Sequence, residues 1–155
     1  MKKRILSLAL SAAMALTMLP TGAFAASDKG KPPVYNKATG CYEISTPDQL
    51  LYLSGSWRDG APRDGHYVLT ADIDMTGVKG FKPIASKKDQ GFTGTFDGQF
   101  HAIKGLRVEY EKKYAGLFGY VGNQDDQAYI KDVALLDCYV TGQQNVGALA
   151  GVNYG

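Results

Sequence analysis

Few side chains in this sequence have the type and spacing to do chemistry. Asp72 and Asp74 flank Ile73, so a strand that turns Ile73 inward sets both carboxylates on its outer face. With Asp97, they are the acids that could be grouped as a sugar-cleaving pair or as calcium ligands. The same residue types serve equally as solvated strand residues and turn-formers, and Asp97-Gly98 is a turn dipeptide. We expect that plainer role, and any carboxylate contact to a ligand to come from Asp72, Asp74 or Asp97. The histidines are His66 and His101, and we expect His101 to hydrogen-bond at a corner rather than act as a base. The run Asn123-Gln124-Asp125-Asp126 reads as a hydrated loop that would hold calcium only weakly. No HExxH, GxSxG, P-loop or CxxC pattern occurs, so the usual zinc-peptidase, hydrolase, nucleotide and zinc-ribbon readings lack their residues. The expectation is a chain with no catalytic residue, no metal ligand and no cofactor.

The elements that must position these residues centre on Phe92 to Gly122. Thr93-Gly94-Thr95-Phe96-Asp97-Gly98 leads to a β-rich run, Ile103 to Val108, and then to a small-residue run, Gly116 to Gly122. The same order of parts returns downstream. Ile130-Lys131-Asp132-Val133-Ala134-Leu135 echoes the first run and Gly147-Ala148-Leu149-Ala150-Gly151-Val152 the second, at offsets of 27 residues (Ile103 to Ile130) and 32 (Leu117 to Leu149). Such periods mark stacked units that cannot bury an apolar face alone. The strands are short and separated by glycine, and Gly94, Gly98, Gly105, Gly116, Gly119, Gly147 and Gly151 fall where a wound chain needs tight corners or close approach. Inward positions are drawn from Phe96, Ile103, Leu106, Val108, Leu117, Val121, Ile130, Val133, Leu135, Val146, Leu149 and Val152. Upstream, Val68, Ile73 and Met75 are taken as inward, with Leu69 ambiguous. The fold class expected is all-β, a right-handed parallel β-helix that begins with a short capping helix.

That helix is well signalled. Thr46 fits the N-cap, Pro47 the first helical position and Gln49 the third, completing a capping box. Leu50, Leu51 and Leu53 form its apolar side, and Gly55 is placed to end it in a left-handed turn. We expect it to cover the open end of the stack, with the flank as the alternative.

Residues 1–25 read as a cleaved export signal: Lys2, Lys3 and Arg4, an apolar core from Ile5 to Leu19, and Ala23-Phe24-Ala25 before the cut. The apolar core is short for a bilayer span. Residues 26–33 read as a disordered, proline-stiffened linker, 34–66 as an N-terminal cap, and 67–155 as β-helix repeats of a chain that continues further. The formal charge of the whole sequence is +2. Without residues 1–25 there remain 14 basic residues (17 less Lys2, Lys3 and Arg4) against 15 acidic ones, a net −1, which gives no electrostatic case for nucleic acid. Export makes a Cys41–Cys138 disulfide chemically possible, but no spacing rule places the two within reach.

The runs Tyr67 to Met75, Phe92 to Gln99 and Ile103 to Leu106 resemble the opening coils of right-handed parallel β-helix proteins secreted by bacteria. Gly116-Leu117-Phe118-Gly119 and Val146 to Gly151 resemble the GLUG repeat of adhesin-like surface proteins and of the N-terminal regions of immunoglobulin A-cleaving peptidases. The sequence departs from that pattern at Phe100, where glycine is usual, and at Ala102, where threonine is usual. A phenylalanine there implies a different turn or a side chain turned outward. The resemblance implies a secreted or surface-displayed scaffold or adhesin-like region, noncatalytic in itself. Its partners would be cell-surface proteins or glycans, not nucleic acid, and its last strand edge would pair with further coils. The alternative is the accessory N-terminal region of a secreted peptidase or polysaccharide-active enzyme whose catalytic part lies beyond residue 155. Loops 86–90 and 123–127 and the tyrosines Tyr110, Tyr114, Tyr120, Tyr129, Tyr139 and Tyr154 are the features such a scaffold would present.

Overall fold

The computed structural model describes residues 30–55 and 61–154. The expected export signal, the start of the linker and Trp57 lie outside the described residues. Among the described residues the chain is all-β with one short α-helix and one 3₁₀ turn. Strands β1 (Val34–Asn36) and β2 (Cys41–Ile44) form an antiparallel hairpin. The helix α1 (Pro47–Leu53) follows, and then β3 (His66–Leu69) and β4 (Ile73–Asp74). The next pass of the chain carries β5 (Thr95–Asp97), β6 (Ala102–Lys104), β7 (Arg107–Glu109), β8 (Lys113–Ala115) and β9 (Phe118–Val121). A further pass carries β10 (Tyr129–Lys131), β11 (Ala134–Leu136), β12 (Tyr139–Thr141), β13 (Gln144–Val146) and β14 (Ala150–Asn153).

Apart from the first hairpin, every strand pair is parallel. The last two passes pair strand for strand and in order, Thr95 with Tyr129, Ala102 with Ala134, Arg107 with Tyr139, Lys113 with Gln144 and Phe118 with Ala150. The corresponding offsets are 34, 32, 32, 31 and 32 residues. One expected echo is corrected by this register. Ile130 sits opposite Phe96, and Ile103 faces Leu135, so the 27-residue spacing of Ile103 and Ile130 is not a rung. The 32-residue echo survives, since Leu149 precedes Ala150 as Leu117 precedes Phe118 and its carbonyl accepts from the Phe118 N–H.

The capping box of α1 is complete. The Thr46 side chain accepts from the Gln49 N–H at 3.3 Å, and the Gln49 side chain accepts from the Thr46 N–H at 3.2 Å. A seven-residue helix is marginal alone, and Leu50, Leu51 and Leu53 are buried in one cluster with Ile44, Leu69 and Ile73. Gly55 adopts φ +86, the left-handed exit expected of it.

The core runs through the stacked passes. Tyr67, Phe96, Ile73, Ile103, Val108, Leu117 and Phe118 are all within 1 % of full burial. Tyr67 and Leu69 point inward, and Val68 is only half-buried. The alternation that carries Ile73 and Met75 inward, followed back through residue 71, selects Leu69 and Tyr67, not Val68. Tyr67 stacks on Tyr42 at 5.2 Å, and its hydroxyl donates to the Pro62 carbonyl at 2.7 Å, so its polar tip is satisfied inside. In the last pass the inward row is less covered: Ile130, Val133, Leu135 and Val152 are half-buried, while Leu149 is 37 % and Val146 48 % exposed. Among the described residues, β10 to β14 each have a strand neighbour on one side only. Cys41 and Cys138 are both free thiols.

Candidate functional site

The three aspartates singled out by sequence each hold a piece of backbone. Gly98–His101 is a tight turn closed by the His101 N–H donating to the Gly98 carbonyl at 2.8 Å, with φ of 47 at Gln99 and 64 at Phe100. Two successive left-handed residues are uncommon outside Gly, Asn and Asp, and this turn is clamped from three sides. Asp97 Oδ1 accepts from the Gln99 N–H at 2.9 Å, and Asp72 Oδ1 accepts from the Ala102 N–H and meets His101 Nδ1, both at 3.0 Å. The Phe100 N–H donates to the Asp132 carbonyl of the following pass at 2.8 Å. The Phe100 side chain is turned outward and is 87 % exposed, which is how the chain accommodates the missing glycine.

Asp74 is separate, its Oδ1 accepting from the Thr76 N–H at 2.9 Å. Asp72 and Asp74 are both exposed beside the buried Ile73, as alternation requires. Asp97 also pairs with Lys131 Nζ at 2.8 Å across the parallel rung between β5 and β10. All three carboxyls are held below the ordinary carboxylate range. The leading cause is the Ala102 N–H for Asp72, the Thr76 side chain for Asp74 and Lys131 for Asp97. A general acid needs the opposite displacement. Among the described residues no group of three or more His, Cys, Asp and Glu is placed to hold a metal ion.

A concavity lies elsewhere. It is an open groove of about 1510 Å³ along one flank, built from segments far apart in sequence: Ser54 and Gly55 after α1, Gly80 to Lys82, Ser86 and Lys87, the run Glu109 to Tyr114, and Thr141 to Gln143. Its wall is tied from layer to layer by the Lys82 N–H to Ser54 Oγ at 2.7 Å, the Tyr110 N–H to the Thr141 carbonyl at 3.0 Å, and the Gln143 N–H to the Lys112 carbonyl at 3.0 Å. Lys82, Lys87, Lys112 and Lys113 bring positive charge to it and are exposed. Glu109 is engaged by Arg107 at 2.7 Å, which holds its carboxyl low, and Glu111 is the other acidic lining residue. Tyr110 and Tyr114 are half-buried, and Tyr114 packs on Tyr120 at 4.4 Å between ring centres. Tyr120 is in turn stacked parallel to Tyr154 at 6.2 Å. Burial, then the hydrogen bond with Tyr114, pushes the Tyr120 hydroxyl up, so it stays neutral.

None of Asp72, Asp74 or Asp97 lines this groove. Sequence reasoning named Tyr110 and Tyr114 and the 86–90 excursion, but did not join them to Lys82, Lys112 and Lys113. The paired lysines at 87–88 and 112–113 are the signal that could have done so. The excursion itself holds a 3₁₀ turn, Lys88–Gln90. The loop at 123–127 is organised by Asn123, whose Oδ1 accepts from the Asp125 and Asp126 N–H groups at 2.8 and 2.7 Å. Tyr129 and Tyr139 stand on the outside, Tyr139 beneath the Arg107 guanidinium at 4.4 Å.

No family model matches the chain, and no solved structure matches it. The chain is similar to halomucin of Haloquadratum walsbyi, 33 % identical over 132 residues that make up 76 % of this chain and 1 % of halomucin. It is also similar to a protein of Evansella cellulosilytica provisionally named a Gly-rich membrane protein, 32 % identical over 99 residues, 58 % of this chain and 11 % of that protein. The chain thus spans a small fraction of the curated relatives it matches. Their names agree, coarsely, with a protein of the cell surface or membrane. No helix among the described residues is long and apolar enough to cross a membrane.

Proposed function

We propose that this chain is an exported segment of right-handed parallel β-helix that acts as a noncatalytic surface scaffold, an adhesin-like binding region. The observation that supports it most is the ordered parallel pairing of β5–β9 with β10–β14 at a nearly constant offset of 31–34 residues. Five strands that pair in parallel and in order with five later ones support a wound chain, and parallel crossovers are right-handed in the great majority of cases. Such a stack fixes its outer segments at a rung spacing of about 4.8 Å. The clamped turn at Phe100 and the tied groove are therefore held features rather than mobile loops. The function is presentation: a rigid rod holds a flank and its loops at set distances for a partner outside the cell. The aspartates support this reading, since each is committed to a backbone N–H and displaced away from acid catalysis.

The test is direct. Cells producing the chain with its leader should expose it to a membrane-impermeant labelling reagent, and beads coated with the purified chain should adhere to cells or extracellular matrix. Retention in the cytoplasm would overturn the reading. Turnover of a peptide or polysaccharide by the purified chain would do so too and would favour an enzyme.

A further inference from the structure

We infer that the flank groove binds an extended anionic polysaccharide along the stack axis, with the lysines reading its carboxylate or sulfate groups and the tyrosines its sugar rings. This rests on the scaffold reading and names the ligand class of that surface.

Size is the first argument. A groove of about 1510 Å³ exceeds the roughly 300–1,000 Å³ of small-molecule pockets. It runs from Ser54 in the first layer to Gln143 in the last, and four layers at about 4.8 Å spacing give a trough roughly 15 Å long. That extent fits a polymer lying along it. Charge is the second. Lys82 and Lys87 come from the pass before β5, and Lys112 and Lys113 from the pass that contains it, so positive groups sit on neighbouring layers. None of the four makes an ion pair with a described residue. Of the two lining acids, Glu109 is already held by Arg107.

The balance of four lysines against two glutamates is modest. Dense phosphate arrays call for many more cations, and without residues 1–25 the chain carries a net −1 (14 basic against 15 acidic residues). A polysaccharide with charges spaced along it matches that density better than a nucleic acid does. The half-buried rings of Tyr110 and Tyr114 add amphipathic surface at the groove, suited to stacking on sugar faces.

The experiment titrates the full chain with fluorescently tagged oligogalacturonate, chondroitin sulfate oligosaccharide, neutral dextran oligosaccharide and a single-stranded DNA of matched charge. The two acidic glycans separate carboxylate from sulfate recognition. Binding to at least one of them is expected, weakened by salt, with dextran inert and DNA weaker. The combined Lys82→Gln/Lys87→Gln/Lys112→Gln/Lys113→Gln variant should lose about tenfold or more in affinity. The corresponding four Lys→Arg changes should keep binding, and Lys37→Gln/Lys104→Gln, outside the groove, should leave it unchanged. Thermal unfolding checks each variant. If the glutamine variant fails to fold, the salt dependence and the arginine variant still decide. Absence of acidic-glycan binding, equal binding to dextran, DNA binding as tight or tighter, or a folded glutamine variant that binds normally would each overturn the inference. If the chain is nevertheless exposed on cells and adhesive, the scaffold reading stands and only the ligand is wrong.

Discussion

The pass β5–β9 and the pass β10–β14 are nearly the same object built twice, yet their interiors differ. Ile103 is fully buried, while its rung partner Leu135 is half-buried. Leu117 is fully buried and its counterpart Leu149 is 37 % exposed. The side chains are of one kind and the backbone pairing is continuous, so neither propensity nor hydrogen bonding explains the contrast. What differs is cover: β5 and β6 lie between strands on both sides and Leu117 is bonded to Ile84 on one side and Ala148 on the other, whereas β10 and β11 have a neighbour on one side only. A stacked architecture makes burial a property of neighbouring layers more than of the residue itself. The same contrast separates the aspartates from the lysines. The aspartates bind within and between adjacent layers, and the lysines face outward into a groove that only the stacking of several layers creates.

The largest test of the comparison is truncation at one rung. Phe96→Ala removes a fully buried ring that packs edge-on against Phe118 at 5.4 Å, and should cost about 3–5 kcal/mol in chemical denaturation. Ile130→Ala, on the facing rung, removes a half-buried side chain and should cost less than half of that, about 1–2 kcal/mol. Equal losses would mean that the last pass is covered as fully as the one before it, and the contrast would disappear.

Glycine sharpens the comparison next. A Cβ at Gly119 would meet the Ser86 Cα at 2.7 Å, and one at Gly151 the Tyr114 Cα at 2.6 Å. Neither has positive φ, so the demand is for close approach between segments and not for a left-handed backbone. Gly119→Val and Gly151→Val should each destabilise by about 1–3 kcal/mol, the former more because Gly119 is buried and Gly151 half-buried. Unchanged melting temperatures in both would remove the close-packing assignment.

Local features were the legible part of this molecule. Thr46-Pro47 with Gln49 announced the helix and its capping box, since every contact involved lies within four residues. The Gly116 and Gly147 runs announced the second echo. Alternation was legible at Ile73 and Met75 but was broken too early at Val68, because a buried tyrosine looks like a surface residue until its hydroxyl has a partner such as the Pro62 carbonyl. The first echo was misread because Ile103-Lys104 of β6 and Ile130-Lys131 of β10 are alike in residue type, so β6 was matched to the partner of β5, one strand out of register. The groove could not be read at all. Lys82, Lys87 and Lys112 are brought to one groove by the long-range parallel pairing of segments distant in sequence, which leaves no local trace.

The smallest effect concerns acid. Asp97 and Asp72 are held low by Lys131 and by the Ala102 N–H respectively, and both brace the Phe100 turn between passes. A carboxyl with a depressed folded-state value stabilises the fold above its unfolded value, near pH 4. That contribution is lost as pH falls through the lower folded value. Stability should therefore decline from about pH 4 downward, and Asp97→Asn with Asp72→Asn should flatten the decline while lowering stability at neutral pH. The losses should be small, since Asp72 and Lys131 are exposed and solvent screens them. Glycan affinity should not change, because neither aspartate lines the groove. Melting curves between pH 2.5 and 7, run beside the oligosaccharide titration, separate the two roles. An acid slope identical in wild type and double variant would show that the carboxylates do not brace the turn, and a loss of glycan affinity would place them in the binding surface after all.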